Sequence, residues 1–186
     1  MSKYSEWYNT VYSMEENYNA EDTPKIKLLE KTLSILDKNI KILDVGCGKG
    51  HYLKHIISLG FENSFGVEVS DECSKRYLQG VPHEVSDFVS FAKAKESLSY
   101  DFILCTDVLE HIDPEEIDEF LLHLTRLSNH AFLGIANHSD IHQGIQLHLI
   151  REPWPWWENK LKELYREVSH ISTMHNGAFF MCECKK

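Results

Sequence analysis

The chain has 186 residues, 42% of them hydrophobic, which suits one well-buried core and is short for two typical domains. Its 19 basic and 29 acidic residues leave a formal net charge of −10, which argues against a general binder of nucleic acid or anionic membrane, because such surfaces need clustered Lys and Arg. No apolar run approaches the ~20 residues that span a bilayer, the N-terminus has no apolar signal region, and five cysteines form no regular framework, so one cytoplasmic domain over residues 1–186 is expected.

Along the chain, residues 4–12 are rich in aromatics, and Trp7, Tyr8, Val11 and Tyr12 can share a helical face. Thr23-Pro24 starts a helix with a hydroxyl cap and a first-turn proline, and Ile26, Leu29, Leu33 and Leu36 follow at core spacing. A strand over 40–45 runs into a glycine turn and a helix over 49–59, which Gly60 stops. A second strand covers 65–69, and Ser70 caps a short helix over 71–79. A weaker strand at 83–86 precedes a helix-compatible stretch to residue 98, and a fourth strand covers 101–106. Asp113, Pro114 and Glu116 predict a helix that begins there and reaches Leu127, followed by a fifth strand over 131–136.

The rhythm then breaks. Residues 137–166 are first polar and rich in histidine, then carry Pro153-Trp154-Pro155-Trp156-Trp157, with a helix start expected at Trp156. Strands over 168–172 and 178–184 flank a turn at Asn176-Gly177. Cys182 and Cys184 sit on one face of the last strand, and a lone Cys-x-Cys is poor evidence for zinc. Strands alternating with helices imply a mostly parallel sheet covered on both faces.

The glycine turn is the richest motif. Glycines alternate at 46, 48 and 50, whereas a dinucleotide fingerprint would need glycine at 51, where His51 stands. Asp44 would repel a pyrophosphate but accept an ammonium group or donor hydroxyls. That favours S-adenosylmethionine over NAD. Asp44-x-Gly46-x-Gly48-x-Gly50, the strand ending Val67-Glu68-Val69, and the run from Asp101 through Asp107-Val108-Leu109-Glu110-His111 together resemble the class I S-adenosylmethionine-dependent methyltransferases, across roughly residues 40–137.

The resemblance implies a doubly wound, seven-stranded, mostly parallel α/β sheet with a C-terminal antiparallel strand. It also implies cofactor binding by Asp44, Gly46, Cys47, Gly48, Gly50, Glu68, Val69, Asp87, Phe88 and Asp107. In that arrangement the turn and helix N-terminus take the methionine carboxylate, and Asp44 takes the amino group. Glu68 accepts the ribose hydroxyls and Asp87 the adenine amino group, while Phe88 is an adenine neighbour or a core residue. Asp107 borders the methionine end. Residues 1–22 are either a lid over the cofactor or an amphipathic helix packed at the domain edge. Residues 137–166 form a substrate cap, with Trp157 packing inward and Arg151 available to the substrate.

Methyl transfer to a hydroxyl needs a proton acceptor, and His111, His138, His142 and His148 are the catalytic candidates, with Asp140 placed to orient a neighbour. Asp107, Glu110 and His111 have ligand chemistry, yet no convincing fourth ligand accompanies them, so no metal is expected. The expected activity moves a methyl group to an oxygen or nitrogen of a small-molecule acceptor, a sugar or another metabolite, leaving S-adenosylhomocysteine. The alternative is a noncatalytic cofactor-binding regulator or partner subunit. A small-molecule partner is expected, without nucleic acid or membrane. Oligomeric state is open.

Overall fold

The computed structural model describes residues 3–14, 18, 23–142 and 144–186, which divide into two compact units, Met1–Phe91 and Ala92–Lys186. The first unit holds helices α1 (Lys3–Met14), α2 (Thr23–Leu33), α3 (His51–Ser58) and α4 (Asp71–Tyr77) and strands β1 (Ile42–Val45), β2 (Ser64–Glu68) and β3 (His83–Val85). Helix α5 (Phe88–Lys93) spans the boundary. The second unit holds β4 (Phe102–Thr106), a 3-10 turn at Leu109–His111, α6 (Ile117–Leu127), β5 (His130–Ala136), the short β6 (Ile141–His142) and β7 (Ile145–Gln146), α7 (Trp154–Lys162), β8 (Glu167–Met174) and β9 (Phe179–Lys185).

The seven-stranded sheet runs β3-β2-β1 in the first unit and β4-β5-β9-β8 in the second. β1, β2 and β3 pair in parallel, as do β4 and β5, while β9 runs antiparallel to both β5 and β8. Every residue of β1 and β4 is buried, as expected for parallel strands with both faces covered. This is the fold class expected from the motif order. Strand alternation fixes the architecture, and the Asn176-Gly177 turn returns the chain for the antiparallel strand.

Three helix ends differ from expectation for a visible reason. Asp113 does not cap α6: its Oδ1 accepts the Glu115 N–H at 3.1 Å and its carbonyl the Glu116 N–H at 2.8 Å. Those bonds close a separate tight turn, so α6 starts at Ile117. Helix α5 stops at Lys93, short of residue 98, because the Arg126 guanidinium takes the Ala92 and Lys95 carbonyls that would otherwise continue it. Helix α7 starts at Trp154 rather than Trp156, with Pro153 capping and Pro155 in the first turn.

Trp157 is fully buried, whereas Trp154 stacks on His170 of β8 with ring centroids 4.5 Å apart. Helix α1 packs on α4: the Asn9 side chain accepts from Ser70 Oγ at 2.8 Å and from the Glu72 N–H at 3.1 Å, and Arg76 donates to the Tyr12 carbonyl. Val11 and Tyr12 are buried there, while Trp7 and Tyr8 are half-buried. No helix among the described residues is long and apolar enough to cross a membrane.

Candidate active site

In the first unit, the chain leaves β1 through three left-handed glycines, Gly46 (φ 68°), Gly48 (φ 52°) and Gly50 (φ 75°). An L side chain pays roughly 1–2 kcal/mol for each such conformation, which is why the turn alternates glycines. A Cβ at Gly50 would also stand 2.8 Å from Leu78 Cδ2. Cys47, between the first two glycines, points its thiol inward. It lies against Gly66 of β2, where a Cβ would come within 2.7 Å of its Sγ. Burial holds the Cys47 thiol well above its ordinary pKa, so only its backbone is available to a ligand.

Glu68 anchors this turn. Gly48 N–H donates to its Oε2 and Ser70 N–H to its Oε1, both at 2.8 Å. Burial raises the Glu68 pKa, opposed by backbone donors at Ser70, Gly48 and Val69. Val69 thus contributes through its N–H. A carboxylate has about four lone-pair sites, so three backbone donors leave room for about one more. The sequence reading, in which Glu68 accepts two ribose hydroxyls at once, did not include these donors.

Asp44, 2% exposed, accepts from the Leu53 backbone, yet its Oδ2 is buried without a hydrogen-bond partner. Burial first, and the Glu68 charge second, push its pKa up to about 8. A buried oxygen lacking a donor suits an incoming ammonium group. The residues present therefore fit the amino-acid end of S-adenosylmethionine. Asp87 caps α5, its Oδ1 accepting the Ser90 N–H at 2.9 Å, and is half-exposed. Phe88 is buried at 6%, which is its core reading.

In the second unit, Asp107 follows β4 with φ 56°, an uncommon conformation for a non-glycine residue, and its side chain is exposed. Its N–H donates to the Gly134 carbonyl of β5 at 2.9 Å. The 3-10 turn then buries Glu110 and His111. Glu110 Oε1 accepts the Ala136 N–H at 2.9 Å, and the Glu110 carbonyl accepts from Leu149 and Ile150.

The four candidate histidines converge. The His111 and His148 rings meet edge to face at 4.6 Å, and the His138 and His148 rings lie 4.7 Å apart. His142 Nε2 pairs with Asp140 Oδ1 at 2.9 Å, and Asp140 Oδ2 lies 3.7 Å from His148 Nε2. Asp140 thus faces His142 and His148, not His138. Burial drives the His111 pKa down to about 3, and burial also lowers that of His148. His138 is exposed. It opens onto a cleft of about 480 Å³ lined also by Asn137, Ser139, Leu149, Arg151 and Glu152.

Two residues escaped the sequence reading. Gly66 makes room for Cys47, and a lone glycine inside an apolar strand was its available signal. Asn9 ties α1 to the start of α4, a pairing 61 residues apart that leaves no local mark.

A family model described as a methyltransferase domain matches residues 16–176. Among solved structures, the chain is similar to a SAM-dependent methyltransferase from Archaeoglobus fulgidus, at 15% identity and TM-score 0.75, covering 94% of this chain and 99% of that one. It is also similar to magnesium protoporphyrin IX methyltransferase from Synechocystis PCC 6803, solved with bound SAH, at 15% identity and TM-score 0.72, covering 98% of each chain. A third is 1,6-didemethyltoxoflavin-N1-methyltransferase from Burkholderia thailandensis, at 14% identity and TM-score 0.70, covering 98% of this chain and 86% of that one. Curated protein sequences yield no match. These likenesses show a shared fold, and the family match across most of the chain shows more: the chain belongs to the methyltransferase-domain family and has the class I S-adenosylmethionine-dependent fold.

Proposed function

We propose that this protein transfers a methyl group from S-adenosylmethionine to an oxygen or nitrogen of a small-molecule acceptor. Bound, S-adenosylmethionine supplies an electrophilic methyl: the acceptor lone pair bonds to its carbon while the C–S bond breaks toward sulfur, giving S-adenosylhomocysteine. Asp44, the glycine turn and Glu68 hold the cofactor through its ammonium, carboxylate and ribose groups. The observation that carries the acceptor reading is the packing of His111, His138 and His148, with the Asp140–His142 pair, beside a polar-lined cleft of small-molecule size.

Within that cluster His138 is the exposed ring, so it is the residue placed to take an acceptor proton. His111 is buried and held neutral, and it packs edge to face on His148. The cleft's Arg151 and Glu152 can fix a polar acceptor by charge.

The test has two arms. Calorimetry should show S-adenosylhomocysteine binding in preference to NAD, and tighter NAD binding would overturn the cofactor. In a screen with methyl-labelled S-adenosylmethionine, label should enter a small hydroxyl or amine acceptor. His138→Ala should lower that turnover roughly 10²- to 10⁴-fold with S-adenosylhomocysteine affinity unchanged. Binding without transfer to any acceptor class would instead favour the regulator reading.

A further inference from the structure

We propose that the acceptor is a small carboxylic acid that also carries a hydroxyl or amine, its carboxylate held by Arg151 and its hydroxyl or amine directed to His138 Nε2. This deepens the function proposed above and rests on it. The charges lining the cleft are Arg151 and Glu152, and among the described residues neither makes an ion pair or a hydrogen bond. Arg76 and Arg126, by contrast, are taken up by the fold, the first by Glu72 and the second by the Ala92 and Lys95 carbonyls. Arg151 keeps its planar fork of N–H donors for a ligand.

The cleft wall is pinned by its own backbone. Asn137 N–H donates to the Ala178 carbonyl at 2.7 Å, and Leu149 and Ile150 N–H both donate to the Glu110 carbonyl, at 2.7 and 2.9 Å. Pro153 then caps α7, so Arg151 and Glu152 sit on a short bridge between two anchored points. Side-chain bonds decide what each polar group has left. His138 Nδ1 lies 3.0 Å from the Ser139 carbonyl, which only accepts, so the neutral ring carries its proton on Nδ1 and its lone pair on Nε2. The Ser139 hydroxyl donates to Gln146 Oε1 at 2.6 Å, and Gln146 Nε2 donates to the His148 carbonyl at 3.2 Å. Ser139 Oγ therefore offers lone pairs, not a proton, to the cleft.

What remains is a set of acceptors, His138 Nε2, Ser139 Oγ and the Glu152 carboxylate, together with one cationic donor, Arg151. A ligand that satisfies both kinds brings donors of its own and an anionic group. A plain polyol supplies the donors and leaves the guanidinium to water, and a plain carboxylate does the reverse. A guanidinium matches a carboxylate bidentately. It matches phosphate too, but Glu152 beside it and the chain's net charge of −10 oppose a dianion more than a single carboxylate. Bonds to Arg151 occupy the carboxylate's lone pairs, so the carboxylate is the handle and the hydroxyl or amine is the nucleophile. Its lone pair bonds to the methyl carbon, its proton passes to His138 Nε2, and the C–S pair stays with sulfur. The product is an ether or an N-methyl compound rather than a methyl ester.

The probes are 2-hydroxy acids, 2-amino acids and uronic acids, each paired with its primary amide, which keeps the hydroxyl or amine and removes the negative charge. Full-length protein with bound S-adenosylhomocysteine is titrated with each by calorimetry, and methyl-labelled S-adenosylmethionine reports transfer. One class of acid should bind at least about tenfold more tightly than its amide. Arg151→Met should erase that preference and Arg151→Lys restore part of it, whereas Arg166→Met, at an exposed arginine ahead of β8, should leave it intact. S-adenosylhomocysteine affinity should hold in all three variants, which shows that each folds. The transferred label should survive alkali. Label released by alkali as methanol would put the carboxylate at the methyl and overturn the proposal. So would binding by no acid, equal binding of acids and amides, or a preference that persists in Arg151→Met. Transfer to a neutral acceptor with Arg151→Met fully active removes the acidic acceptor and leaves the proposed function intact. Acid binding on Arg151 without transfer to any probe keeps the carboxylate site and counts against the function.

Discussion

In the first unit, the polar groups after β1 and β2 are tied down by backbone N–H donors, with Glu68 at the centre and Gly48 and Ser70 at 2.8 Å on either side. In the second unit, the polar groups after β4 and β5 are side chains facing one another: His111, His138, His142, His148, Asp140 and Glu110. The first arrangement makes ligand binding and folding share the same bonds. The second hangs on a connection whose His138, Asp140 and His142 side chains are exposed or half-buried. The two regions should therefore answer mutation differently: damage near Glu68 weakens fold and cofactor together, whereas damage near His138 weakens turnover alone.

The largest effect is expected at Glu68. The sequence alone suggests that Glu68→Ala spares the fold. The structure predicts otherwise, because hydrogen bonds to a charged group contribute about 1.5–3 kcal/mol each, and at least two are lost. Stability of the free protein should drop by roughly 3 kcal/mol or more, lowering Tm by about 6–12 °C, with S-adenosylhomocysteine binding abolished. Scanning calorimetry checks this, and an unchanged Tm would assign Glu68 to ligand contact only.

Asp44 comes next, and its sign is opposite. Its folded pKa of about 8 lies above the ordinary carboxyl value of 3.8, so the fold favours the protonated acid. That contribution is fully present below pH ~4 and is lost as pH rises through about 8. Asp44→Asn should therefore be more stable than the parent at pH 8, on the order of a few kcal/mol, and by a much smaller margin at pH 5. It should nonetheless bind S-adenosylhomocysteine poorly. Urea midpoints at the two pH values decide the matter, and an equal difference at both would remove Asp44 as the cause. Binding at pH 7 should also release protons, because the ligand's ammonium favours the ionised carboxylate, and heats in buffers of different ionisation enthalpy measure that release.

Packing under the glycine turn should give a smaller change. Gly66→Ala places a Cβ 2.7 Å from Cys47 Sγ and 2.8 Å from Leu53 Cδ2, an overpacking that typically costs 1–3 kcal/mol. Adding Cys47→Ala should recover part of that loss in urea unfolding, since the two changes share one contact. Strict additivity would mean that the thiol is not what Gly66 accommodates.

The smallest stability effect belongs to the second unit. Asp140→Asn removes the negative charge facing His142 in a part-exposed pair, and pairs of that kind are worth about 0–1 kcal/mol. Tm and S-adenosylhomocysteine affinity should hold while turnover of the acceptor falls. If Asp140→Asn instead lowered cofactor affinity as Glu68→Ala does, the contrast between the two regions would collapse.

The sequence by itself determined the sheet, the glycine turn and the identity of the acids after β1 and β2, because these rest on local periodicity and on glycine's access to positive φ. Gly46, Gly48 and Gly50 could be read one by one, and so could the Ser70 cap, whose Oγ accepts the Cys73 N–H. Element ends were less legible where a distant side chain intervened, as when Arg126 closes α5. The histidines after β5 could be named as candidates from their position, but only the tertiary structure decided that His111 meets His148 and that Asp140 faces His142 rather than His138. It likewise decided that Glu68 holds the turn, through the Gly48 and Ser70 N–H groups. The physical reason is range. Backbone conformation is set by a residue and its near neighbours, whereas a side chain's partners and its loss of solvent depend on segments brought together only when the sheet closes.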